Sequence, residues 1–289
     1  MQEGVIIKGV GGLYFIKTES GVLKAKARGR FRLEHIVPMV GDRVRLSVSG
    51  KETRIDEICE RKNFLVRPPV SNIDQLCIVT AATSPEPDLF LLDKLTVSAL
   101  YQNIRVIFCI NKIDLKEPDE LVDIYGKDGF CVMTTCTKEN IGISEVKEKL
   151  RGCITAFCGA SGVGKSSLLN VLDHRLSCET SNISEKIERG RNTTRHTEIF
   201  EIEPESYVFD TPGFSSFDVP LMAARDLIQY FPDLYAYAHG CQFSDCSHTK
   251  EIGCGVNDAL ERGEIAKSRY ESYCKMYEEC KNIKEWEKR

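Results

Sequence analysis

A glycine-rich segment near the middle of the chain constrains the fold most strongly. Residues 159–166 read Gly-Ala-Ser-Gly-Val-Gly-Lys-Ser, which fits the pattern G-x-x-x-x-G-K-[ST]. The apolar run Ile154–Cys158 precedes the segment, and a helical pattern over Lys165–Leu172 follows it. A strand, a glycine turn and a helix in this order form a loop whose backbone N–H groups surround phosphate oxygens. A plain glycine-rich turn is the alternative, and the strand and helix on either side disfavour it.

The loop predicts the contacts of a bound nucleotide. We expect Lys165 to contact the β- and γ-phosphates and to serve catalysis, while the Ser166 hydroxyl ligates Mg²⁺. The other residues predicted to bind the nucleotide here are Gly159, Ala160, Ser161, Gly162, Val163, Gly164 and Ser167.

Strand-length apolar runs alternate with helical patterns between residues 70 and 217. The expected strands are Gln75–Thr80, Arg105–Ile110, Phe130–Thr134, Ile154–Cys158 and Tyr207–Phe209. The expected helices are Leu89–Tyr101, Asp119–Tyr125, Ser144–Leu150 and Lys165–Leu172. This alternation is typical of a parallel sheet with helices on both faces.

A second motif predicts which base the nucleotide carries. Asn111, Lys112 and Asp114 form an N-K-x-D motif directly after a predicted strand. The carboxylate of Asp114 can accept hydrogen bonds from N1–H and the 2-amino group of guanine, a donor pair that adenine lacks. The motif therefore predicts GTP binding and disfavours an ATPase, with an exposed polar loop as the alternative. Thr135-Cys136 is expected to pack beside the base.

Two further segments are predicted to surround the γ-phosphate. Asp210 and Gly213 resemble a D-x-x-G element after the strand Tyr207–Phe209, in which the aspartate holds Mg²⁺ through water and the glycine N–H senses the γ-phosphate. A threonine pair precedes this element, and we expect Thr194 to ligate Mg²⁺ in the GTP-bound state and to serve catalysis.

The motifs occur in an unusual order. In ordinary GTPases the phosphate loop comes first and N-K-x-D comes late, whereas here residues 111–114 precede 159–166. This is a circular permutation, which a sheet tolerates because domain termini often lie close together. The D-x-x-G element then leads directly into residues 218–289, so the nucleotide state can be passed to that part of the chain.

A cluster of metal-ligand residues lies in the C-terminal part. The chain has 13 cysteines, and an odd number without a predicted signal peptide argues against a disulfide framework. Three thiolates and one imidazole within 14 residues suit a closed, structural zinc site. The predicted ligands are Cys241, Cys246, His248 and Cys254. Scattered cytosolic cysteines are the alternative, and His239 is an alternative ligand.

The N-terminal part predicts a small β-barrel. Short strands at Val5–Ile7, Leu13–Lys17 and Val44–Val48 lie between glycines, without helical periodicity. Residues 1–68 carry 14 Lys and Arg against 8 Asp and Glu, although the whole chain has a net charge of −4. The basic side chains alternate with other residues as on one face of a strand or extended loop, at Lys24, Lys26, Arg28, Arg30 and Arg32. This face is predicted to bind RNA, and a solvated strand face is the alternative.

The distribution of apolar residues along the chain indicates in which compartment the protein acts. It contains no apolar run of the roughly 20 residues that span a bilayer and no signal-peptide pattern, so we expect a cytoplasmic protein without a membrane partner. Residues 218–289 have a mainly helical pattern. A tyrosine stripe at helical spacing there, Tyr270, Tyr273 and Tyr277, is interpreted as packing.

Taken together, these motifs resemble the ribosome small-subunit-dependent GTPase family, RsgA (YjeQ). The resemblance covers essentially the whole chain and is most specific in Asn111–Asp114 preceding Gly159–Ser167 and in the C-x4-C-x-H-x5-C spacing. It implies a multidomain α/β protein with an OB-fold at 1–68, a circularly permuted GTPase domain at 69–217 and a helical zinc-binding domain at 218–289.

The resemblance also implies partners and an activity. Members bind the 30S subunit and its 16S rRNA late in maturation, and the ribosome stimulates a slow hydrolysis of GTP to GDP and phosphate. We expect a monomer that carries one zinc ion and binds Mg²⁺ with GTP. The family usually has histidine before the paired threonines, to position the attacking water, but this chain has Asn192 there. Asn192, His196 or a ribosomal group are the alternatives for that role.

Two functions from different classes therefore remain open at this stage. One is a ribosome-activated GTPase that acts as an assembly checkpoint. The other is a GTP-gated RNA-binding module without significant hydrolysis, which is kept open by Asn192 and by Phe214 at the position of the usual water-orienting glutamine.

Overall fold

The computed structural model describes residues 2–49, 52–65, 69–127, 129–176, 198–210 and 221–282. The strands are β1 (Gln2–Val10), β2 (Leu13–Thr18), β3 (Gly21–Ala27), β4 (Arg43–Ser49), β5 (Glu52–Ile58), β6 (Phe64–Leu65), β7 (Val70–Ser71), β8 (Gln75–Ala81), β9 (Arg105–Asn111), β10 (Cys131–Thr135), β11 (Ile154–Cys158), β12 (Phe200–Glu203) and β13 (Ser206–Asp210).

The helices follow the same numbering along the chain. They are α1 (Arg30–Leu33), α2 (Leu89–Tyr101), α3 (Asp119–Lys127), α4 (Ile143–Leu150), α5 (Lys165–Leu172), α6 (Pro232–Ala238), α7 (Gly255–Glu261) and α8 (Lys267–Asn282), with 3-10 turns at His174–Leu176 and Ala224–Tyr230. None of the helices in the described ranges has both the length and the apolar character that crossing a bilayer would need.

The described residues form two compact units. The first consists of residues 2–76, 144–157 and the described parts of 166–210. The second consists of the described parts of 77–143, of 158–165 and of 221–282. Because these units interleave along the chain, the sequential division at residues 68 and 217 stays a prediction.

A closed five-stranded barrel dominates the first unit. Its strand order is β1-β2-β3-β5-β4, with β1 also paired to β4. The β3–β5 pair is parallel and the other pairs are antiparallel. This arrangement is that of an OB-fold, so the predicted barrel is confirmed. The side chains that fill its interior are at most 1% exposed, at Ile6, Ile16, Ala25, Leu46 and Ile55.

The segment with alternating basic residues is not a continuous strand. The strand β3 ends at Ala27, and α1 begins at Arg30. The extended geometry predicted for the segment through Arg32 is therefore wrong beyond residue 27. The reason is local packing, since the Phe31 side chain is buried and the Phe31 N–H donates to the Arg28 carbonyl, which starts a helical turn.

A short hairpin links the barrel to the rest of the first unit. β6 and β7 are antiparallel partners, with Phe64 opposite Ser71 and Leu65 opposite Val70. The buried carboxylate of Asp42 accepts hydrogen bonds from Arg61 at 2.7 and 2.8 Å and from Ser71 Oγ at 2.6 Å. Arg61 before β6 and Ser71 in β7 are thus both held by the buried carboxylate that directly precedes β4.

The first unit also contains three strands from the central part of the chain. β11 and β13 are parallel, and β12 is antiparallel to β13. The Gln75 amide donates to Thr155 Oγ1 at 2.9 Å, and the Ile154 N–H donates to the Asp74 carboxylate at 2.9 Å. These bonds fix the start of β11, the strand that leads into the glycine-rich loop.

In the second unit, three strands have the order β10-β9-β8, and β9 and β10 are parallel. β8 is completely buried, as expected for a strand that is covered on both faces. The helix α2 begins after Asp88, whose carboxylate accepts from the Leu91 N–H at 3.0 Å and caps the helix. The predicted α/β fold class is therefore confirmed.

The C-terminal helices of the second unit pack on α2. Val97 of α2 shares one apolar cluster with Phe231, Leu234, Tyr273 and Met276. Burying one large apolar side chain of this kind stabilises a fold by roughly 1.5–3 kcal/mol. The tyrosine stripe belongs to this packing, as interpreted from the sequence.

A buried ion pair joins α2 to α8 inside this packing. The Arg269 guanidinium is 0% exposed and donates to Asp93 at 2.5 Å and to both carboxylate oxygens of Asp233 at 3.0 and 3.1 Å. Tyr125 donates to the same Asp93 oxygen at 3.0 Å, and the guanidinium lies 4.7 Å from the Phe231 ring centre. Two carboxylates and one cation thus occupy an apolar interior.

Candidate functional site

The phosphate loop begins in a backbone conformation that requires glycine. Gly159 has a φ of +152°, and a Cβ there would lie 2.1 Å from the carbonyl oxygen of Val79. Gly164 has a φ of +93°, and its Cβ would lie 2.2 Å from Nδ2 of Asn111. Val163 between them is buried, whereas Ser161 and Gly162 are exposed. The glycines therefore let the loop pass close to β8 and to the N-K-x-D motif.

The end of the loop is also the beginning of α5. Lys165 is the first residue of that helix and is partly buried, and Ser166 and Ser167 are exposed in its first turn. Backbone N–H groups in the first turn of a helix have no partner within the helix and favour an anion. The predicted phosphate-binding residues thus occupy a position suited to that chemistry.

Asn111 ties the base-reading motif to the phosphate loop. It is the last residue of β9 and is 1% exposed. Its Nδ2 donates to the Val163 carbonyl at 3.0 Å, and its Oδ1 accepts from Thr135 Oγ1 at 3.2 Å and from the Thr137 N–H at 3.3 Å. Asn111 therefore joins three segments of the second unit.

Lys112 makes a second connection to the same loop. Its Nζ donates to the Gly162 carbonyl at 2.7 Å and also to the Ser84 carbonyl. The backbone φ of Lys112 is +64°, a left-handed conformation that turns the chain sharply after β9. The sequence predicted that Asn111 and Lys112 bind GTP, and the structure gives both of them contacts with the loop that would hold its phosphates.

Asp114 lies at the open side of this arrangement. Its side chain is 19% exposed, and its Oδ1 accepts from the Cys136 thiol at 3.3 Å. Lys138 Nζ lies 3.6 Å from Oδ2. Each carboxylate oxygen of Asp114 therefore faces a donor. Thr135 and Cys136 contact Asn111 and Asp114, and their expected packing beside the base stays a prediction.

Several predicted residues belong to segments that are not described. Asn192, Thr194, His196, Gly213 and Phe214 lie outside the described residues. Asp210 is the last residue of β13, and only its backbone is described. The roles predicted for these residues stay predictions.

The four predicted zinc ligands come together in the second unit. The ligand atoms of Cys241, Cys246, His248 and Cys254 all lie within 4.8 Å of one another. Cys241 Sγ is 3.3 Å from His248 Nδ1 and 3.8 Å from Cys254 Sγ. Three sulfurs and one nitrogen at this spacing fit one tetrahedral metal ion. His239 instead packs against Tyr235.

Protonation at this cluster favours binding of a cation. Burial lowers the pKa of His248, which keeps the imidazole neutral and its lone pair available. Burial raises the pKa of the Cys246 thiol to about 12 and also raises that of Cys254. Ligation therefore has to displace protons from thiols, and a bound cation supplies the charge that makes this favourable.

Residues outside the cluster hold its loop in place. Glu251 accepts from Ser247 Oγ at 2.5 Å, from the Ser247 N–H at 2.8 Å and from the Thr249 N–H at 3.1 Å. Desolvation raises the pKa of Glu251, but hydrogen bonds from the Ser247 hydroxyl and N–H and from the Lys250 N–H outweigh it and bring the pKa to about 2. The hydroxyl of Tyr273 donates to the Ser247 carbonyl at 2.9 Å. The loop is thus ordered by a carboxylate and by α8.

The basic residues of the barrel line an open depression with a volume of about 840 Å³. It is lined on one side by Lys24 and Lys26 of β3 and by Arg28 and Arg30, and on the other by Arg54 of β5. Arg28 forms a 2.7 Å ion pair with Asp56 and is 46% exposed. The depression therefore presents several cations, although not on one extended strand.

Comparison with protein families identifies two matching domains. The model described as "RsgA GTPase" matches residues 58–220, and the one described as "RsgA N-terminal domain" matches residues 3–54. A protein of Ruminiclostridium cellulolyticum named "Small ribosomal subunit biogenesis GTPase RsgA" is 44% identical, over 99% of this chain and 96% of that protein. The chain belongs to the RsgA GTPase family.

Further relatives agree with this membership. A protein of Clostridium novyi with the same name is 45% identical, over 96% of this chain and 97% of its own length. The crystal structure of YjeQ from Thermotoga maritima has a TM-score of 0.82 and 33% identity, covering 98% of this chain and 99% of that one. The structure titled "YloQ, a circularly permuted GTPase" has a TM-score of 0.83 and 34% identity, covering 98% and 96%.

Membership of the RsgA family establishes that the chain is a GTP-hydrolysing enzyme, which decides between the two classes left open by the sequence.

The sequence missed several residues that contribute to the candidate sites. Lys138 lies beside the base-reading carboxylate of Asp114. Arg54 lines the basic depression of the barrel, and Glu251 holds the loop of the metal cluster. A lysine four residues after the predicted strand at 130–134 was the available signal for Lys138, whereas the positions of the other two depend on the tertiary fold.

Proposed function

We propose that this chain is a GTPase that binds the 30S ribosomal subunit and acts in its late maturation, with hydrolysis of GTP to GDP and phosphate stimulated by the subunit. The observation that carries the proposal is the connection of Asn111 and Lys112 to the phosphate loop, through Val163 and Gly162. This connection supports a single nucleotide site formed by the carboxylate of Asp114 and the phosphate loop. The names of the relatives, which refer to biogenesis of the small ribosomal subunit, support the choice of partner.

The proposed binding of GTP follows from the chemistry of these groups. The carboxylate of Asp114, which lies beside the Cys136 thiol and the Lys138 ammonium, accepts from guanine N1–H and from the 2-amino group. Backbone N–H groups of the phosphate loop and the Lys165 ammonium neutralise the phosphate oxygens. The loop residues assigned to this role are those predicted from the sequence, from Gly159 through Ser167.

A magnesium ion is part of the proposed nucleotide site. The hydroxyls of Ser166 and Thr194 and the carboxylate of Asp210 are oxygen donors of the type that Mg²⁺ prefers. When bound, the ion neutralises the charge that develops on the phosphates. Gly213 is assigned to sensing of the γ-phosphate, and Asn192 to orientation of the attacking water.

A single structural zinc ion is proposed for the C-terminal cluster. Its four protein ligands, Cys241, Cys246, His248 and Cys254, complete a tetrahedral shell and leave no position for substrate. The ion would join the two halves of a loop that is otherwise held by Glu251 and Tyr273. Its role is therefore to maintain the fold of the C-terminal part.

The proposed contact with 16S rRNA involves the basic depression of the barrel. Lys24, Lys26, Arg28 and Arg30 line it together with Arg54 and Glu52, and Arg28 and Arg54 are paired with Asp56 and Glu52. An array of cations around an open depression favours binding of the phosphate backbone of RNA. Such binding weakens as the salt concentration rises, because the release of counterions from the RNA then contributes less free energy. The protein is proposed to act in the cytoplasm as a monomer.

The test measures multiple-turnover GTP hydrolysis with and without purified 30S subunits, together with sedimentation on the subunits in GDP and in a non-hydrolysable GTP analogue. We expect stimulation of turnover by 30S and nucleotide-dependent co-sedimentation. Turnover that 50S subunits stimulate equally, or that 30S subunits leave unchanged, would contradict the proposal. A variant with Lys24, Lys26 and Arg54 changed to Ala should show weaker 30S binding and a shallower salt dependence.

A further inference from the structure

A backbone contact attaches the barrel to the strand β12. The Ile199 N–H donates to the Ile7 carbonyl at 2.9 Å, and Lys8 and Glu198 form an antiparallel bridge. The β1–β2 register shifts between Ile6 and Lys8, so Ile7 is an extra residue in β1. A bulge of this kind removes one residue from the ladder and turns its backbone aside. The bulge therefore makes the Ile7 carbonyl available to the chain that enters β12.

Two ion pairs reinforce this backbone contact. Lys8 of β1 pairs with Glu198, and Lys17 Nζ of β2 lies 2.5 Å from the Glu201 carboxylate of β12. The four side chains are only 20–35% exposed. Opposite charges that are partly shielded from water attract more strongly than fully exposed pairs. The two lysines therefore hold the chain against the barrel at two positions, one at Glu198 just before β12 and one at Glu201 within it.

The hairpin that the barrel holds in this way leads to Asp210. β12 is antiparallel to β13, with Phe200 opposite Val208, and β13 ends at Asp210. Extending this register by two residues brings Glu198 level with Asp210. The Glu201 carboxylate also accepts a hydrogen bond from Tyr207 of β13. The glutamates paired with the barrel lysines therefore lie beside the strand that presents the D-x-x-G aspartate.

We propose that Lys8 and Lys17 are positioning residues for the GTPase reaction, which act through the β12–β13 hairpin to fix the place of Asp210. The inference rests on the proposed function, because that function assigns Asp210 to the Mg²⁺ of bound GTP. Mg²⁺ demands nearly ideal octahedral geometry, so a small displacement of one ligand weakens its binding. The barrel thereby becomes part of the scaffold of the nucleotide site, and a shift of the barrel reaches Asp210 through two ion pairs and one backbone contact.

The test reverses the charge of one pair in the full-length protein. Lys8→Glu places two carboxylates together, and we expect the Mg²⁺ concentration needed for half-maximal binding of a fluorescent, non-hydrolysable GTP analogue to rise about tenfold. The value of kcat should fall by a similar factor, while binding of GDP without Mg²⁺ stays the same. The swapped pair, Lys8→Glu with Glu198→Lys, should return both quantities to within about twofold of the original protein.

Matched variants separate positioning from a loss of folded protein. Lys127 pairs with Asp123 within α3, and both side chains are at least 70% exposed, so Lys127→Glu reverses the charge of a surface ion pair outside the β12–β13 hairpin and should change neither quantity. If Lys8→Glu does not fold, Lys8→Met removes the charge without repulsion and should raise the Mg²⁺ requirement in the same direction. A reduced fraction of folded protein lowers the amplitude of analogue binding but leaves its Mg²⁺ dependence in place.

The variant Asp210→Ala distinguishes a failure of the positioning role from a failure of the proposed nucleotide site. If it raises the Mg²⁺ requirement while the Lys8 variants do not, the positioning role is overturned and the proposed nucleotide site stands. If Asp210→Ala leaves the Mg²⁺ dependence unchanged, the proposed role of Asp210 is wrong and the positioning role is overturned with it. Failure of the charge swap to restore the Mg²⁺ dependence of a folded protein also overturns the inference.

Discussion

Asn111 Nδ2 and the Val163 carbonyl oxygen lie 3.0 Å apart and form a hydrogen bond between the N-K-x-D motif and the phosphate loop. The two motifs are separated by 52 positions in the sequence, yet they are held as one structural element. A change in either motif should therefore affect the recognition of the base and of the phosphates together.

The first prediction concerns Gly164, whose Cβ position is blocked by Asn111. We expect Gly164→Ala to weaken GTP binding by at least about tenfold, because a 2.2 Å contact has to push Asn111 away from Val163. Gly263→Ala is the matched control, since Gly263 also has a positive φ, of +73°, but no atom within 4 Å of its Cβ position. The control should cost about 1 kcal/mol of stability and leave GTP affinity unchanged. Equal GTP affinities of the two variants would contradict the prediction.

The second prediction concerns the choice of base by Asp114. Asp114→Asn replaces one acceptor by a donor, so we expect the affinity for GTP to fall and that for xanthosine triphosphate to rise. Competition binding with the two nucleotides measures the change in preference. Asp123→Asn, on the exposed side of α3, serves as the control and should not change the ratio. An unchanged preference in Asp114→Asn would rule out Asp114 as the base-reading residue.

The third prediction concerns the metal cluster. The purified protein should contain about one zinc ion per chain, and Cys246→Ala should lose it, because three ligands hold a structural ion much less tightly than four. Elemental analysis and the midpoint of thermal unfolding with and without a chelator measure the effect. Cys59→Ser removes a cysteine that follows β5, outside the cluster, and should keep the metal. Zinc retained at full stoichiometry in Cys246→Ala would contradict the assignment.

The fourth prediction concerns Glu251 and pH. Its pKa falls from 4.5 to about 2 on folding, so its charge stabilises the fold above about pH 4.5, and this contribution is lost as the pH falls towards 2. Glu251→Gln should reduce the free energy of unfolding by about 1–2 kcal/mol at neutral pH, after allowance for solvent screening. The difference in the free energy of unfolding between Glu251→Gln and the original protein should shrink as the pH falls from about 4.5 towards 2. The exposed Glu261→Gln should show no such convergence when unfolding is measured across the same pH series.

The fifth prediction concerns the buried cation of α8. Arg269→Leu leaves the carboxylates of Asp93 and Asp233 without their partner, and we expect a loss of about 3–5 kcal/mol in the free energy of unfolding. Lys267→Ala is the control, because its side chain is 84% exposed and its ion pair with Glu271 lies on the helix surface. This control should change stability by less than about 1 kcal/mol. Chemical denaturation of the two variants measures their free energies of unfolding. Similar losses of this free energy in both variants would contradict the structural role of Arg269.

The parts of the site that sequence reasoning predicted are those set by short-range spacing. The phosphate loop, the N-K-x-D motif and the Cys/His cluster each occupy fewer than 20 consecutive residues, so the order of residue types already limits their geometry. The bounds predicted for α2 and α5 agree with the structure, because apolar periodicity and flanking turns define these helices. The predicted strand at 130–134 differs by one residue, as β10 covers Cys131–Thr135.

The remaining features depend on contacts between distant residues. The strand β5 was not predicted, because its polar sequence carries only one fully buried side chain, Ile55. The basic alternation after Lys24 continues into a helix, since burial of Phe31 decides the backbone there. The environment of Arg269 could not be predicted either, because a lysine- and arginine-rich helix end ordinarily faces water.

The first unit is built from segments that lie far apart in the chain, and this has a consequence for the synthesis of the protein. The barrel is complete at Ile58, but the β12–β13 hairpin attached to it begins about 140 residues later. At roughly 5–20 residues per second, translation would separate the two by about 7–30 seconds. During that interval Lys8 and Lys17 lack their partners Glu198 and Glu201, and the Ile7 carbonyl at the bulge lacks the Ile199 N–H. The nascent barrel, although its five strands are already paired, therefore carries an uncovered bulge and two unpaired lysines, which the chain covers only after both nucleotide-binding motifs have left the ribosome.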